Sequence, residues 1–148
     1  MKKILVTGAT GQLGSVLTPE LRDRFGNDRV IAAGHQTAPC DAVAESGLRT
    51  VKFVREDVRS FVAGRPATGK VDLVVANPPR SGLGKGVAAA LRSWGAARVI
   101  LVSCDPPTLA RDLKVLVEGG AYTVERIIPV DLFPQTAHIE TVVLLTRS

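Results

Sequence analysis

Short apolar runs alternate with segments of helical periodicity along this chain, and that alternation constrains its fold most. The runs are rich in Val, Ile and Leu, which is typical of strands buried on both faces of a parallel sheet. Between them, apolar residues recur at helical spacing, as Leu13, Leu17 and Leu21 do before Gly26. The predicted parallel strands are 4–6, 30–33, 51–54, 71–76 and 99–102. This order predicts an α/β, doubly wound, Rossmann-like sheet with helices on both faces.

Two further strands, 123–130 and 139–145, follow the last predicted helix and have no helix signal between them. Strands joined by a tight connection pair in the antiparallel sense. The sequence therefore predicts an antiparallel hairpin at the edge of a mostly parallel sheet. The helix before this hairpin should start at Asp105, whose side chain can cap it, with Pro106 in the first turn.

The composition fits one domain over residues 1–148, because the chain has 148 residues and 45% of them are hydrophobic. No apolar run is long enough to span a bilayer. The apolar stretch after Lys3 is too short for a signal peptide, so we expect a cytoplasmic protein without a membrane partner. The net charge of +5 comes from scattered basic residues, which makes RNA a possible but weak partner. Neither Cys40 nor Cys104 belongs to a cluster with zinc spacing, and we expect no metal.

A glycine-rich turn follows the first predicted strand and opens the first predicted helix. In such turns one glycine allows the tight bend, one lets the backbone approach the phosphates, and one lets the helix pack closely. Gly8, Gly11 and Gly14 hold these positions, and the stretch from Lys3 to about Ala33 resembles short-chain dehydrogenases. We therefore interpret residues 1–47 as a dinucleotide-binding-like segment. The predicted cofactor-binding residues are Gly8, Thr10, Gly11, Gln12, Leu13, Gly14, Gly34, Asp57, Val58 and Asn77.

This resemblance implies NAD or NADP as the cofactor, with the pyrophosphate on the N-terminus of the first helix. Dehydrogenases of this kind usually carry an acid at the end of the second strand, where this chain has Gly34. Asp57 and Val58 are placed after the third strand, where they could contact adenine. The family's Tyr-x-x-x-Lys pair is missing, since Tyr122 is followed four places later by Arg126. The alternative for the glycines is a packing turn that binds no ligand.

Four motifs later in the chain point to a different chemistry. They are Asn77-Pro78-Pro79-Arg80, Ser103-Cys104-Asp105-Pro106, Phe133-Pro134-Gln135-Thr136 and His138-Ile139-Glu140. In order and spacing they resemble the catalytic half of the RNA 5-methyluridine (uracil-C5) methyltransferases, and the resemblance covers about residues 48–148. A C-terminal antiparallel hairpin is also typical of Rossmann-type methyltransferases. The resemblance implies S-adenosylmethionine as the cofactor and a uracil in RNA as the substrate.

The same resemblance implies a role for each matching residue. Cys104 would attack C6 of the uracil as a thiolate, a form that the N-terminus of a helix favours. Glu140 would then remove the proton from C5. The predicted substrate-contacting residues are Pro78, Arg80 and Gln135. The alternative for Cys104 is a small buried side chain, and the alternative for Gln135 is a structural hydrogen bond.

Together, the two resemblances favour a hybrid, a recombined or engineered (de novo) chimera that binds a nucleotide cofactor. NAD or NADP is the favoured cofactor. Efficient catalysis is not expected, because the acids that would hold S-adenosylmethionine are missing from the first two strand ends. The alternative is an S-adenosylmethionine-dependent domain that methylates uracil C5 in RNA. A third hypothesis is a stable scaffold without a ligand.

Overall fold

The computed structural model describes residues 4–7, 12–26, 30–34, 53–64, 71–132, 134–136 and 139–148. Its strands are β1 Ile4–Thr7, β2 Val30–Gly34, β3 Phe53–Arg55, β4 Leu73–Ala76, β5 Arg98–Ser103, β6 Tyr122–Val130 and β7 Glu140–Arg147. The helices within these ranges are α1 Gln12–Phe25, α2 Val58–Gly64, α3 Gly84–Trp94 and α4 Pro106–Val117, and a 3₁₀ turn, Glu118–Gly120, follows α4. Strands and helices thus alternate as far as α4, and two strands follow it.

All of these strands belong to one sheet with the order β3-β2-β1-β4-β5-β7-β6. The first five strands are parallel to one another. β7 lies between β5 and β6 and is antiparallel to both. The pairing of β6 with β7 shifts register between Val124 and Arg126, which leaves one extra residue in the outer strand. The predicted fold, a doubly wound parallel sheet with an antiparallel edge hairpin, is confirmed.

The two faces of the sheet are covered by different helices. On one face, Leu17 and Leu21 of α1 pack against a cluster that includes Val6 and Val75. On the other face, α2, α3 and α4 cover a larger cluster that includes Val74. Because side chains alternate along a strand, Val74 and Val75 serve opposite faces. The apolar runs of the parallel strands are therefore explained by burial on both faces.

Individual residues explain where two of the helices begin or end. Gly26 has a φ of 93° and donates its N–H to the carbonyl of Arg22 at 2.8 Å, which ends α1. Pro19 stays inside α1. Asp105 caps α4, and a proline occupies its first turn, as predicted. None of the helices in the described ranges combines the length and the apolar content needed to cross a bilayer.

Candidate active site at the carboxyl edge of the sheet

The carboxyl ends of the parallel strands meet along one edge of the sheet. Register pairs Thr7 with both Ala33 and Ala76, and it pairs Gly34 with Arg55. The chain order changes direction between β1 and β4, since β2 and β3 lie on one side of β1 and β5 lies beyond β4. A crevice forms at such a switch point, outside the carboxyl ends of the strands, and ligands of open α/β sheets bind there.

Several predicted cofactor-binding residues lie along this edge. Gly34 ends β2, Asp57 and Val58 follow β3, and Asn77 follows β4. The first turn of α1 contains Gln12, Leu13 and Gly14. Gly8, Thr10 and Gly11 lie outside the described residues. Predicted cofactor-binding residues from the ends of three strands and from the first turn of α1 therefore lie along this edge.

Asp57 caps the first turn of α2 at this edge. Its Oδ1 accepts hydrogen bonds from the backbone N–H groups of Arg59 at 3.0 Å and Ser60 at 3.3 Å. These contacts satisfy donors in the first turn of α2. The same capping fixes the carboxylate of Asp57 beside the end of β3.

The pairing of β5 with β7 places Cys104 and Glu140 at the same edge of the sheet. The last pair of that ladder is Ser103 with Thr141. Cys104 follows Ser103 and Glu140 precedes Thr141, so both residues adjoin this last pair, although 35 residues lie between them in sequence. Ser103 and Thr141 face each other directly, a position in which Cβ atoms are about 4.5–5.5 Å apart, and this pair holds Cys104 and Glu140 at the same edge of the sheet. Both residues are partly buried, and the Cys104 thiol is free of any disulfide.

The turn that contains Cys104 is held from both sides. The Ser103 hydroxyl accepts from the Asp105 N–H and donates to the Asp105 carbonyl, both at 3.2 Å. Asp105 in turn accepts the N–H of Thr108 at 3.0 Å. Hydrogen bonds from the Thr108 backbone and hydroxyl hold the pKa of Asp105 below its usual value, and the charges of Arg80 and Arg111 add to this effect. Asp105 therefore stays ionised at the helix end next to Cys104.

The loop after β4 lies against α4. The Thr108 hydroxyl donates to the carbonyl of Arg80 at 3.0 Å, and Arg111 Nη2 donates to the carbonyl of Ser81 at 2.7 Å. The N–H of Leu83 donates to Asp112 Oδ2 at 2.6 Å. These contacts bring the Asn77–Arg80 motif to the helix that starts after Cys104. Arg111 and Asp112 were not predicted as site residues.

The hairpin connection lies at the same edge, because β6 ends and β7 begins there. Pro134, Gln135 and Thr136 are exposed. Gln135 has a φ of 67°, and no other non-glycine residue among those described has a positive φ. Such backbone strain clusters at ligand-binding positions. Phe133 and His138, which belong to the predicted motifs, lie outside the described residues.

Comparison with known proteins identifies the relatives of this chain. A family model described as tRNA (uracil-5-)-methyltransferase matches residues 64–148. An uncharacterized RNA methyltransferase from Thermotoga maritima is 43% identical over 99 residues, which is 67% of this chain and 22% of that protein. Another from Clostridium tetani is 31% identical over 138 residues, covering 93% of this chain and 29% of that protein. The chain thus spans less than a third of the length of these curated relatives.

A solved structure agrees with this family assignment. The tRNA (uracil-54, C5)-methyltransferase of Pyrococcus abyssi, in complex with S-adenosyl-L-homocysteine, superposes with a TM-score of 0.75 and 26% identity. The superposition covers 99% of this chain and 34% of that chain. The predicted resemblance of the later part of the chain to uracil-C5 methyltransferases is therefore confirmed.

The interpretation of the chain as a chimera is wrong. The Clostridium tetani relative aligns over 93% of the chain, so most of residues 1–47 belong to the same family as the rest. The main prediction, an NAD- or NADP-binding domain without efficient catalysis, is also wrong, and the comparisons favour the methyltransferase alternative. The physical reason is that glycines after the first strand let the backbone approach a ligand closely, but they do not select one nucleotide over another.

Proposed function

Because the chain belongs to the tRNA (uracil-5-)-methyltransferase family, we propose that it forms a catalytic Rossmann-like domain that methylates C5 of a uridine in RNA, with S-adenosylmethionine as the cofactor. The observation that carries the proposal is that Cys104 and Glu140 adjoin the last pair of the β5–β7 ladder, Ser103 with Thr141. A nucleophile and a base have to act on adjacent carbons of one pyrimidine ring. Two residues that adjoin one pair of facing strand positions are close enough to serve neighbouring atoms of one ring.

The cofactor would bind along the edge formed by the ends of β1 to β4. Gly34, Asp57 and Asn77 offer it backbone, carboxylate and amide groups, which match the hydrogen-bonding groups of adenine, ribose and the amino acid end. When bound, S-adenosylmethionine supplies an electrophilic methyl group. Asn77 follows the strand next to β5, so this edge leads directly to Cys104.

Cys104 and Glu140 then divide the chemistry between them. The Cys104 thiolate would form a bond to C6 of the uracil, and the C5–C6 π electrons would shift onto C5 and make it nucleophilic. C5 would then take the methyl group as the bond between that methyl and the cofactor's sulfur breaks, which leaves S-adenosylhomocysteine. Glu140 takes the remaining proton from C5. The electrons of that C–H bond restore the C5–C6 double bond and expel the sulfur of Cys104. Arg80, exposed on the loop held against α4, is placed to contact the RNA backbone or to stack on a base.

Transfer of radiolabel from methyl-labelled S-adenosylmethionine to a uridine-containing RNA tests this function. The parent chain should form 5-methyluridine, and Cys104→Ala should form none. Cys40→Ala, which removes the other cysteine of the chain, is the matched control and should keep the parent rate.

Glu140→Gln separates the two chemical roles. This variant can still form the bond from sulfur to C6, but it cannot take the C5 proton. A covalent protein–RNA adduct should therefore accumulate and appear as a slower band on a denaturing gel. Label transfer by Cys104→Ala at the parent rate, or label on an atom other than C5, would contradict the proposal.

A further inference from the structure

We propose that Asp112 and Arg111 are positioning residues that fix the loop carrying Asn77 and Arg80 relative to Cys104. The inference rests on the proposed function, because it assigns a role in that same site. It starts from a buried carboxylate on α4 that the chemistry above does not use.

Asp112 joins the loop to α4 through both of its oxygens. The residue is almost fully buried, with a side chain that is 2% exposed. Oδ2 accepts the N–H of Leu83 at 2.6 Å, and Oδ1 accepts Nε and Nη2 of Arg111 at 3.1 and 2.9 Å. A buried carboxylate is retained only when it is paired and hydrogen-bonded. Here its partners are a loop amide and an arginine that also binds the loop.

Arg111 completes the attachment. Its Nη2 also donates to the carbonyl of Ser81 at 2.7 Å, and the neighbouring Thr108 hydroxyl donates to the carbonyl of Arg80. Thr108, Arg111 and Asp112 are spaced so that they lie on one side of the helix. Three backbone groups of a short loop are thus held by a single helical turn.

This attachment links the loop to the nucleophile. α4 begins at Pro106, two residues after Cys104, and the Ser103 and Asp105 contacts hold the turn between them. The loop, the helix and the turn that contains Cys104 are therefore joined by a continuous set of hydrogen bonds. Releasing the loop would misplace Asn77 and Arg80 while leaving Cys104 and Glu140 chemically intact.

Asp112→Asn tests the role with little change of shape. The amide has one acceptor oxygen and one NH₂ group, so the NH₂ must face either the Leu83 N–H or the Arg111 guanidinium, and all of these groups are donors. We expect kcat for methyl transfer to fall by about tenfold or more, as small misplacements do in active sites. KM for S-adenosylmethionine should change much less, and hydrogen exchange should become faster in residues 80–84.

Arg92→Ala is the matched control. Arg92 also bridges two helices, since it donates from α3 to the carbonyl of Val115 near the end of α4 and to Glu118 in the 3₁₀ turn that follows. Its side chain is 31% exposed, compared with 39% for Arg111. We expect a lower melting temperature but an unchanged kcat and unchanged exchange in residues 80–84.

The outcomes separate the two proposals. Absence of methyl transfer by the parent chain would refute the proposed function, and exchange of residues 80–84 in Asp112→Asn would then decide alone whether Asp112 positions the loop. Unchanged exchange there, or an equal loss of kcat in Arg92→Ala and Asp112→Asn, would overturn the positioning role.

Discussion

Gly82 in the loop and Gly84 at the start of α3 allow the energy of the loop's attachment to α4 to be measured. Gly82 and Gly84 both have a φ of 75°, so an alanine at either position carries the cost of left-handed backbone, about 1–2 kcal/mol. A Cβ on Gly84 would meet nothing within 4 Å. A Cβ on Gly82 would collide with Asp112 Oδ2 and lie 2.6 Å from Arg111 Nη2. Gly84→Ala therefore measures backbone strain alone, and Gly82→Ala adds the displacement of the carboxylate.

The size of the difference follows from the bonds at risk. The Asp112 side chain is short and buried, so it cannot swing away as a long exposed side chain would. Moving it weakens the charged hydrogen bond from the Leu83 N–H, and bonds of that kind contribute about 1.5–3 kcal/mol. We expect Gly82→Ala to be less stable than Gly84→Ala by about 2 kcal/mol, which corresponds to roughly 4–8 °C in Tm for a chain of this size.

Urea unfolding followed by the fluorescence of Trp94, the single tryptophan of the chain, measures this difference. Trp94 lies at the end of α3 and donates its indole N–H to the carbonyl of Val62, so its emission reports the packing of α2 on α3. Free energies of unfolding for the two variants that agree within about 0.5 kcal/mol, the size of an ordinary surface substitution, would refute the claim that the carboxylate is fixed.

Two titratable side chains give further predictions. The Tyr122 hydroxyl donates to the carbonyl of Ala96 at 2.9 Å, so Tyr122→Phe should cost about 1 kcal/mol at neutral pH. Burial raises the pKa of Tyr122, partly opposed by Arg147. The folded state therefore favours the protonated phenol, and the resulting stability is present below the phenol's ordinary pKa of about 10 and is lost as pH rises through the folded value. Tyr122→Phe should lack this alkaline loss in urea titrations, and an unchanged alkaline slope would show that another group causes it. The pKa of Asp105 is lowered, so its stabilisation should be present above the ordinary carboxyl pKa and be lost as pH falls through the folded value. Asp105→Asn should flatten stability over that acidic range, and a carboxyl NMR titration of Asp105 at its ordinary pKa would contradict the assignment.

The sequence was sufficient to predict the parallel strands, because strands that are buried on both faces of a sheet have continuous apolar runs. Val74 and Val75 serve opposite faces, so a continuous apolar run was the correct signal for β4. The absence of a helix between the last two strands was enough to predict their reversal. The predicted strand 71–76 begins two residues before β4 does, because Val71 is buried without belonging to the strand.

The cofactor was predicted wrongly because the glycine turn reports only on how closely a backbone can approach its ligand. The attachment of the loop to α4 was missed for another reason. Leu109 and Leu116 indicate the buried side of α4, and Asp112 has helical spacing to both. A carboxylate on that side must be buried and paired, so the signal was present, although its partners come from a loop 29 residues earlier.

The place of β7 between β5 and β6 sets different tolerances for changes in chain length. Six consecutive pairs join β5 to β7 without interruption, whereas the extra residue at Glu125 is accommodated between β7 and β6. An insertion in the outer strand can be absorbed as a bulge, and an insertion in the connection before β7 changes only the size of that loop. A single residue added within β7 would instead turn Glu140 to the opposite face of the sheet, since the side-chain period is two. The uninterrupted β5–β7 pairing therefore fixes the length of β7. Length differences among relatives should occur mainly in the β6–β7 connection and in β6, and the Thr141–Thr146 segment should keep its length.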